Sequence, residues 1–253
     1  VSRHGRDGYQ TIFDDDAMTV LHIPGRQKKC IVAFTGIGHG LGGIDLQTPE
    51  FARSGTEDTK LFVIDKQRSW GNNLNWESLR GIVDDFARGR RITTLGNSMG
   101  GFLAIRFANQ LGADHAIAFA PQWSVDPMIL PDEMRWSNYR REIRKFRYPD
   151  LSGAFDLPTR FSIFFGDDCD DLKHIAFFPT NKSNLNLFLL KGGGHQPARL
   201  LKEHGLLYPI IDACRNGVCV TDLLEQGNIS FLRQPFSEPD LKVLESLESA
   251  VIQ

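Results

Sequence analysis

Apolar residues recur along this chain in two alternating rhythms. Lys29 to Phe34, Lys60 to Asp65, Ile92 to Leu95, His115 to Ala120, Arg160 to Phe165 and Asn184 to Leu190 are short runs rich in β-branched and aromatic residues. Most are apolar almost without interruption, the pattern of strands buried on both faces. Tyr9 to Phe13 and Ala17 to Ile23 predict two more strands around the turn Asp14-Asp15-Asp16. Helical spacing lies between the runs. Trp76, Leu79, Ile82, Val83 and Phe86 share one face, with Asn75 placed to cap and Gly89 just beyond the end. Further helices are predicted over Phe102 to Leu111, after Asp171 through Phe178, over Pro197 to His204 and over Leu206 to Ala213. A helical turn is expected at Pro49 to Ser54. Ser237-Glu238-Pro239-Asp240 opens a C-terminal helix whose apolar face is Leu241, Leu244, Leu247 and Val251. Strand and helix alternate, so a single α/β domain over residues 1–253 is expected, its central sheet mostly parallel and flanked by helices.

The rhythm breaks from Pro121 to Pro158. Trp123, Met128, Met134, Trp136, Tyr139, Phe146 and Tyr148 are interleaved there with Arg135, Arg140, Arg141, Arg144, Lys145 and Arg147. The segment is too long and too aromatic for a plain connection. One reading is a helix over Pro131 to Phe146 packed on the sheet edge with a solvated basic face. The other is a lid on which Trp123, Trp136, Arg140 and Arg144 contact a substrate carrying carboxylate or phosphate, since arginine pairs with both through two parallel hydrogen bonds.

Composition narrows the classes without choosing among them. At 253 residues, 41% hydrophobic and 24% charged, the chain is an ordinary globular sequence. A net charge of −2 gives no reason to expect nucleic acid or an anionic membrane as partner. No apolar run approaches a membrane span. The first ten residues carry no signal-peptide core, although the chain does not begin with Met, so a trimmed leader stays open. Cys30, Cys169, Cys214 and Cys219 have no metal-ligand spacing. Cys30 falls in a buried strand, Cys214 and Cys219 are near enough in sequence to bridge, and reducing cytoplasm is the expected setting.

The chemistry-bearing stretch is Gly96-Asn97-Ser98-Met99-Gly100-Gly101, between a predicted strand and a predicted helix. G-x-S-x-G in that setting forms a tight turn that presents the serine, and glycines are needed where a Cβ would strike the neighbouring strand or helix. Two other features end later strands: the acids of Gly166-Asp167-Asp168-Cys169-Asp170-Asp171 and the histidine of Gly192-Gly193-Gly194-His195. Open parallel sheets place ligands at the carboxyl ends of their strands, so Ser98, an acid and His195 converge there. The first buried strand ends in Thr35-Gly36-Ile37-Gly38-His39-Gly40, a glycine-rich loop at the same end. His39 either lines the pocket or caps that loop. The bunched acids also suit Ca²⁺ or Mg²⁺, but no calcium-loop spacing is present and no metal or other cofactor is expected.

These residues, Gly96 to Gly100, Phe34 to Ile37, the acids after Phe165 and Gly194-His195, in the order Ser, Asp, His, resemble the α/β-hydrolase superfamily over about residues 9 to 205. The resemblance is nearest to bacterial hydrolase-like proteins of the G-N-S-M-G-G type, several of them associated with surface-polysaccharide or envelope pathways. It implies an α/β-hydrolase fold with the 121–158 insert at the usual lid position. It also implies Ser98 as nucleophile, His195 as base, and an oxyanion hole from the backbone N–H groups of Met99 and Ile37, with Gly36 and His39 near the substrate. The acid is out of the usual register, because the third residue after Gly166 is Cys169. Asp170 is the first choice, with Asp171 and Asp168 as alternates. Three activities follow: a serine hydrolase of an ester or thioester, an acyltransferase to a sugar or lipid alcohol, or a binding protein without turnover. The expected partner is a small acyl substrate, anionic or glycan-linked.

Overall fold

A computed structural model describes residues 8–41 and 44–234, and side chains outside residues 39–46. The helix expected from Ser237 lies outside the described residues. The chain runs through β1 (Gln10–Asp14), β2 (Met18–Ile23), β3 (Lys29–Phe34), β4 (His39–Leu41), β5 (Ile44–Leu46), β6 (Thr59–Asp65), α1 (Trp76–Phe86), β7 (Arg91–Asn97), α2 (Met99–Ala108), β8 (His115–Phe119) and α3 (Ser137–Arg140). It continues through β9 (Arg160–Gly166), α4 (Cys169–Ile175), β10 (Leu185–Leu190), α5 (Pro197–Glu203), α6 (Leu207–Asn216), α7 (Thr221–Gln226) and β11 (Phe231–Arg233).

Nine strands form one sheet in the order β1-β2-β6-β3-β7-β8-β9-β10-β11. The six from β6 to β10 are parallel to one another. At the edges β1, β2 and β11 run antiparallel to their neighbours. The apolar runs are continuous because successive residues face two separate cores. In β3, Cys30, Val32 and Phe34 face the layer that includes α1 and α2, while Ile31 and Ala33 face the layer of α5, α6 and α7. Each large side chain so buried contributes roughly 1.5–3 kcal/mol relative to exposure. Helix α1 begins at Asn75, whose side chain accepts from the Ser78 N–H, as its sequence predicts. Helix α2 is apolar nearly all round because the sheet covers one side and the insert the other.

Three expectations need correction. Pro49 to Ser54 forms turns and no helix, and between Pro131 and Phe146, where up to four helical turns were expected, there is only the single turn of α3, with a separate 3-10 turn at Ala154–Asp156 near the insert's end. The β4–β5 pair, α7 and β11 were not foreseen, and β11 makes β10 an interior strand. The insert is held by its own loop contacts. Its two ends are clamped by a bridge between Ser124 and Asp150, by the Leu151 N–H on the Trp123 carbonyl, and by Ser124 Oγ on the Pro149 carbonyl at 2.5 Å. All four cysteines are free. Burial pushes the Cys30 and Cys214 thiols up to about 12, as expected of packed, unreactive groups. Among the described residues no helix is long and apolar enough to cross a membrane.

Candidate active site

Strand β7 delivers Ser98 into a turn at φ 53°, ψ −120°, a conformation that costs an ordinary residue about 1–3 kcal/mol. The surroundings enforce it. A Cβ on Gly96 would lie 2.0 Å from the Gly100 carbonyl oxygen, and one on Gly100 would lie 2.2 Å from that of Phe34. Helix α2 starts at Met99, so its unsatisfied N-terminal N–H groups begin immediately after the serine.

His195 Nε2 lies 3.5 Å from Ser98 Oγ, at the long end of hydrogen-bond range. The histidine loop is braced by Asp167, whose carboxylate accepts from the N–H groups of Gly192 at 2.7 Å and Gly194 at 2.9 Å. On its other side the imidazole meets Asp171, not Asp170: Nδ1 is 2.8 Å from Asp171 Oδ2 and 2.9 Å from Oδ1. Helix geometry explains the correction. Asp168 is the N-cap of α4 and accepts from the Asp170 N–H. The next turn then puts Asp170 outward, where it pairs with Lys173 at 2.7 Å, and turns Asp171 and His174 inward, three residues apart on one buried face. Asp168, Cys169 and Asp170 place one ligand atom each within 4.8 Å of one another, but Asp168 and Asp170 are already engaged as cap and ion-pair partner.

The insert supplies what the sequence did not reveal. Arg135 Nη1 reaches Asp171 Oδ1 at 2.8 Å, while its Nε and Nη2 grip Glu133 at 3.0 and 2.6 Å. Glu133 in turn lies 2.8 Å from His174 Nε2, and His174 Nδ1 accepts from the Trp123 N–H at 3.1 Å. Since Trp123 must be the donor there, Nε2 carries the His174 proton and donates it to Glu133. Burial opposes the charge on Glu133, but hydrogen bonds from His174 and Arg135 outweigh it and hold the carboxyl well below the usual carboxylate range. Burial likewise opposes the charge of Arg135, and Glu133 and Asp171 more than restore it.

Gln122 also escaped the sequence reading. Its Nε2 donates to Ser98 Oγ at 3.0 Å and its Oε1 accepts from the Trp70 indole at 3.1 Å, so the amide can face only one way. The only hint was its place just beyond the end of β8.

The other expected contacts divide. Trp136 stands beside His195 with ring centroids 6.4 Å apart. Trp123 is buried against Phe155 and Phe178. Arg140 is also buried, on the Leu130 carbonyl, and Arg144 lines a separate surface cavity with Gln67 and Asn73, so neither overlooks Ser98. The Gly36 N–H, expected near the substrate, is instead committed to Glu50 at 3.1 Å, and Ile37 is anchored through its carbonyl by Arg68 Nε at 3.1 Å. Burial pushes the Glu50 carboxyl up to about 7 against the lowering effect of that N–H. His39 lies in β4, and its side chain is not among those described. A cavity of about 590 Å³ adjoins this end of the sheet, lined in part by Gly38, Asn97, Arg53, Arg199, Lys202 and Tyr208. Another of equal volume, around Arg91, Asp114 and Arg160, lies at the opposite strand ends and is remote from Ser98.

No protein-family model and no curated protein matches the sequence. Solved structures do match. A capsule O-acetyltransferase of Neisseria meningitidis serogroup A is 16% identical with TM-score 0.60, covering 81% of this chain and 95% of that one. Another structure of that enzyme, in complex with CoA, is 18% identical with TM-score 0.56, over 78% and 93%. An α/β serine hydrolase homologue from Coxiella burnetii is 13% identical with TM-score 0.51, over 83% and 95%. The chain has the α/β-hydrolase fold.

Proposed function

We propose that this protein is a serine-dependent, ester-acting enzyme that works through an acyl-enzyme. The observation that carries this reading is the line Ser98–His195–Asp171 built on a serine held at positive φ. Ser98 Oγ attacks the acyl carbonyl as His195 Nε2 takes its proton, and Asp171 keeps Nδ1–H pointed away from the serine and balances the imidazolium. The tetrahedral oxyanion is received by the N–H of Met99, at the positive end of α2, and by that of Ile37; one such donor is worth about 10²–10³ in rate. His195 then returns the proton to the leaving oxygen or sulfur, and the acyl group passes to water. The test is labelling by a fluorophosphonate, with Ser98→Ala as control. Labelling that survives in Ser98→Ala, or none in the wild type, refutes the reading.

A second reading, acyl transfer to a hydroxyl, is favoured by two observations. The acetyltransferase shares its fold with this chain across nearly its whole length. Arg53, Arg199 and Lys202 also gather at the cavity beside Asn97, suited to an anionic acyl carrier or a glycan-linked acceptor. Product analysis of the acyl-enzyme with and without an added alcohol or sugar separates the two: free acid throughout means hydrolysis, and a new ester means transfer.

A further inference from the structure

Resting on the triad reading above, we propose that Arg135, from the insert between β8 and β9, is a positioning residue of this active site. With Glu133 behind it, it clamps the carboxylate of Asp171 and so joins the insert to the triad as one charged unit. The geometry is a closed set. Asp171 Oδ1 is 2.8 Å from Arg135 Nη1 and 2.9 Å from His195 Nδ1, and those two nitrogens are 3.2 Å apart. Arg135 Nη1 takes Oδ1, while Nδ1 lies between the two oxygens and slightly nearer Oδ2, at 2.8 Å, so the carboxylate accepts from both donors at once. The imidazole Nδ1–H is directed to Asp171, leaving Nε2 as the acceptor that faces Ser98.

Glu133 and Asp171 each hold the guanidinium, through Nε and Nη2 on one side and Nη1 on the other, which fixes its plane against the two carboxylates. Its cost is electrostatic: a cation 3.2 Å from the imidazole opposes the imidazolium formed on attack. Glu133, bonded bidentately to the same arginine and held by His174, offsets that cost. Arg135 thus supplies the grip and Glu133 cancels most of its field. The other groups around His195 do not replace this balance. Asp168 lies 3.8 Å from Arg135 Nη1, Asp167 is spent on the loop backbone, and Arg199 and Glu203 are paired with each other at 2.8 Å along the outer cavity. Trp136 adds only its ring.

The charges give opposite signatures that a merely structural role would not. The experiment measures the rate of labelling by a neutral fluorophosphonate from about pH 5 to about pH 9, the range in which histidine titrates. Arg135→Gln should label about 10- to 100-fold more slowly, the scale of a misplaced catalytic group. The acid limb of its pH profile should move to higher pH, because losing the cation favours imidazolium. Glu133→Gln should move the acid limb to lower pH, because the arginine is left uncompensated. Arg135→Lys, which keeps a cation but lacks the planar fork, should label at an intermediate rate with a limb near that of the wild type. If Arg135→Gln does not fold by circular dichroism, Arg135→Lys and Glu133→Gln decide the matter. Acid limbs that stay at the wild-type position in Arg135→Gln and Glu133→Gln, or wild-type rates throughout, overturn the proposal. Absence of Ser98 labelling in the wild type would instead sink the triad itself.

Discussion

Replacing Asp171 by asparagine tests the proposed active site at the point where sequence and structure diverge. The carboxylate is buried and accepts from His195 Nδ1 at 2.8 Å and from Arg135 Nη1 at 2.8 Å. An asparagine has one acceptor and one donor end. Arg135 is a donor only, so it would turn the amide oxygen toward itself and leave the amide NH₂ facing the imidazole. Nδ1 would then have to accept, which puts the proton on Nε2 and aims it at Ser98 Oγ, the wrong tautomer for a base. In serine proteases that loss is about 10⁴ in kcat, equivalent to about 5.4 kcal/mol of transition-state stabilisation. We expect a loss of that order here, with a thermal midpoint within a few degrees of the wild type, because size and most hydrogen bonds are kept. Asp170→Asn removes only an exposed pair with Lys173 and should leave the rate within about twofold. The assay is the fluorophosphonate labelling rate, followed by turnover once an ester substrate is in hand. If Asp170→Asn proves the more damaging of the two, the placement of helix α4 is wrong and the reasoning fails with it.

Ser98→Gly and Ser98→Ala should both abolish labelling and both strip the Gln122 amide of its acceptor, but only glycine relieves the positive φ, so Ser98→Gly should be about 1 kcal/mol more stable than Ser98→Ala; equal urea midpoints for the two would refute the strain. Gly100→Ala, whose new Cβ would sit 2.2 Å from the Phe34 carbonyl oxygen, should cost about 3 kcal/mol in the same melts. Glu50 has its folded carboxyl raised from 4.5 to about 7, so the native state binds the extra proton and stability falls as pH rises through that window. Glu50→Gln keeps an acceptor for the Gly36 N–H and should therefore gain stability over the wild type progressively from pH 4.5 to about pH 7, measured by urea melts at several pH values. Arg140→Ala, which leaves the Leu130 carbonyl without its buried donor, should lower stability and slow neutral and anionic esters alike; a loss confined to anionic esters would restore the lid reading of that residue.

The strands, their mostly parallel arrangement and the G-x-S-x-G turn were legible in the chain itself, because each is dictated locally. Phe34 and its neighbours are apolar on both sides because two layers cover them, and Gly96 and Gly100 are glycine because backbone lies within 2.2 Å of any Cβ placed there. The choice of acid was partly legible. Asp171, His174, Ile175 and Phe178 follow helical spacing, which would have set Asp171 facing inward had the helix been started at Asp168. The roles of Gln122, Glu133 and Arg135 were not. They sit in or beside an irregular insert with no periodicity to say which side chains face inward, and only packing sets Gln122 against Ser98 and Arg135 and Glu133 against Asp171 and His174. For the same reason Arg135 and Arg140, five residues apart in one basic run, have unrelated fates, one on the Asp171 carboxylate and one on a loop carbonyl. Local sequence sets where a strand ends and which turn a serine occupies, because those depend on neighbours in the chain. Only tertiary packing decides which distant charge is desolvated against which.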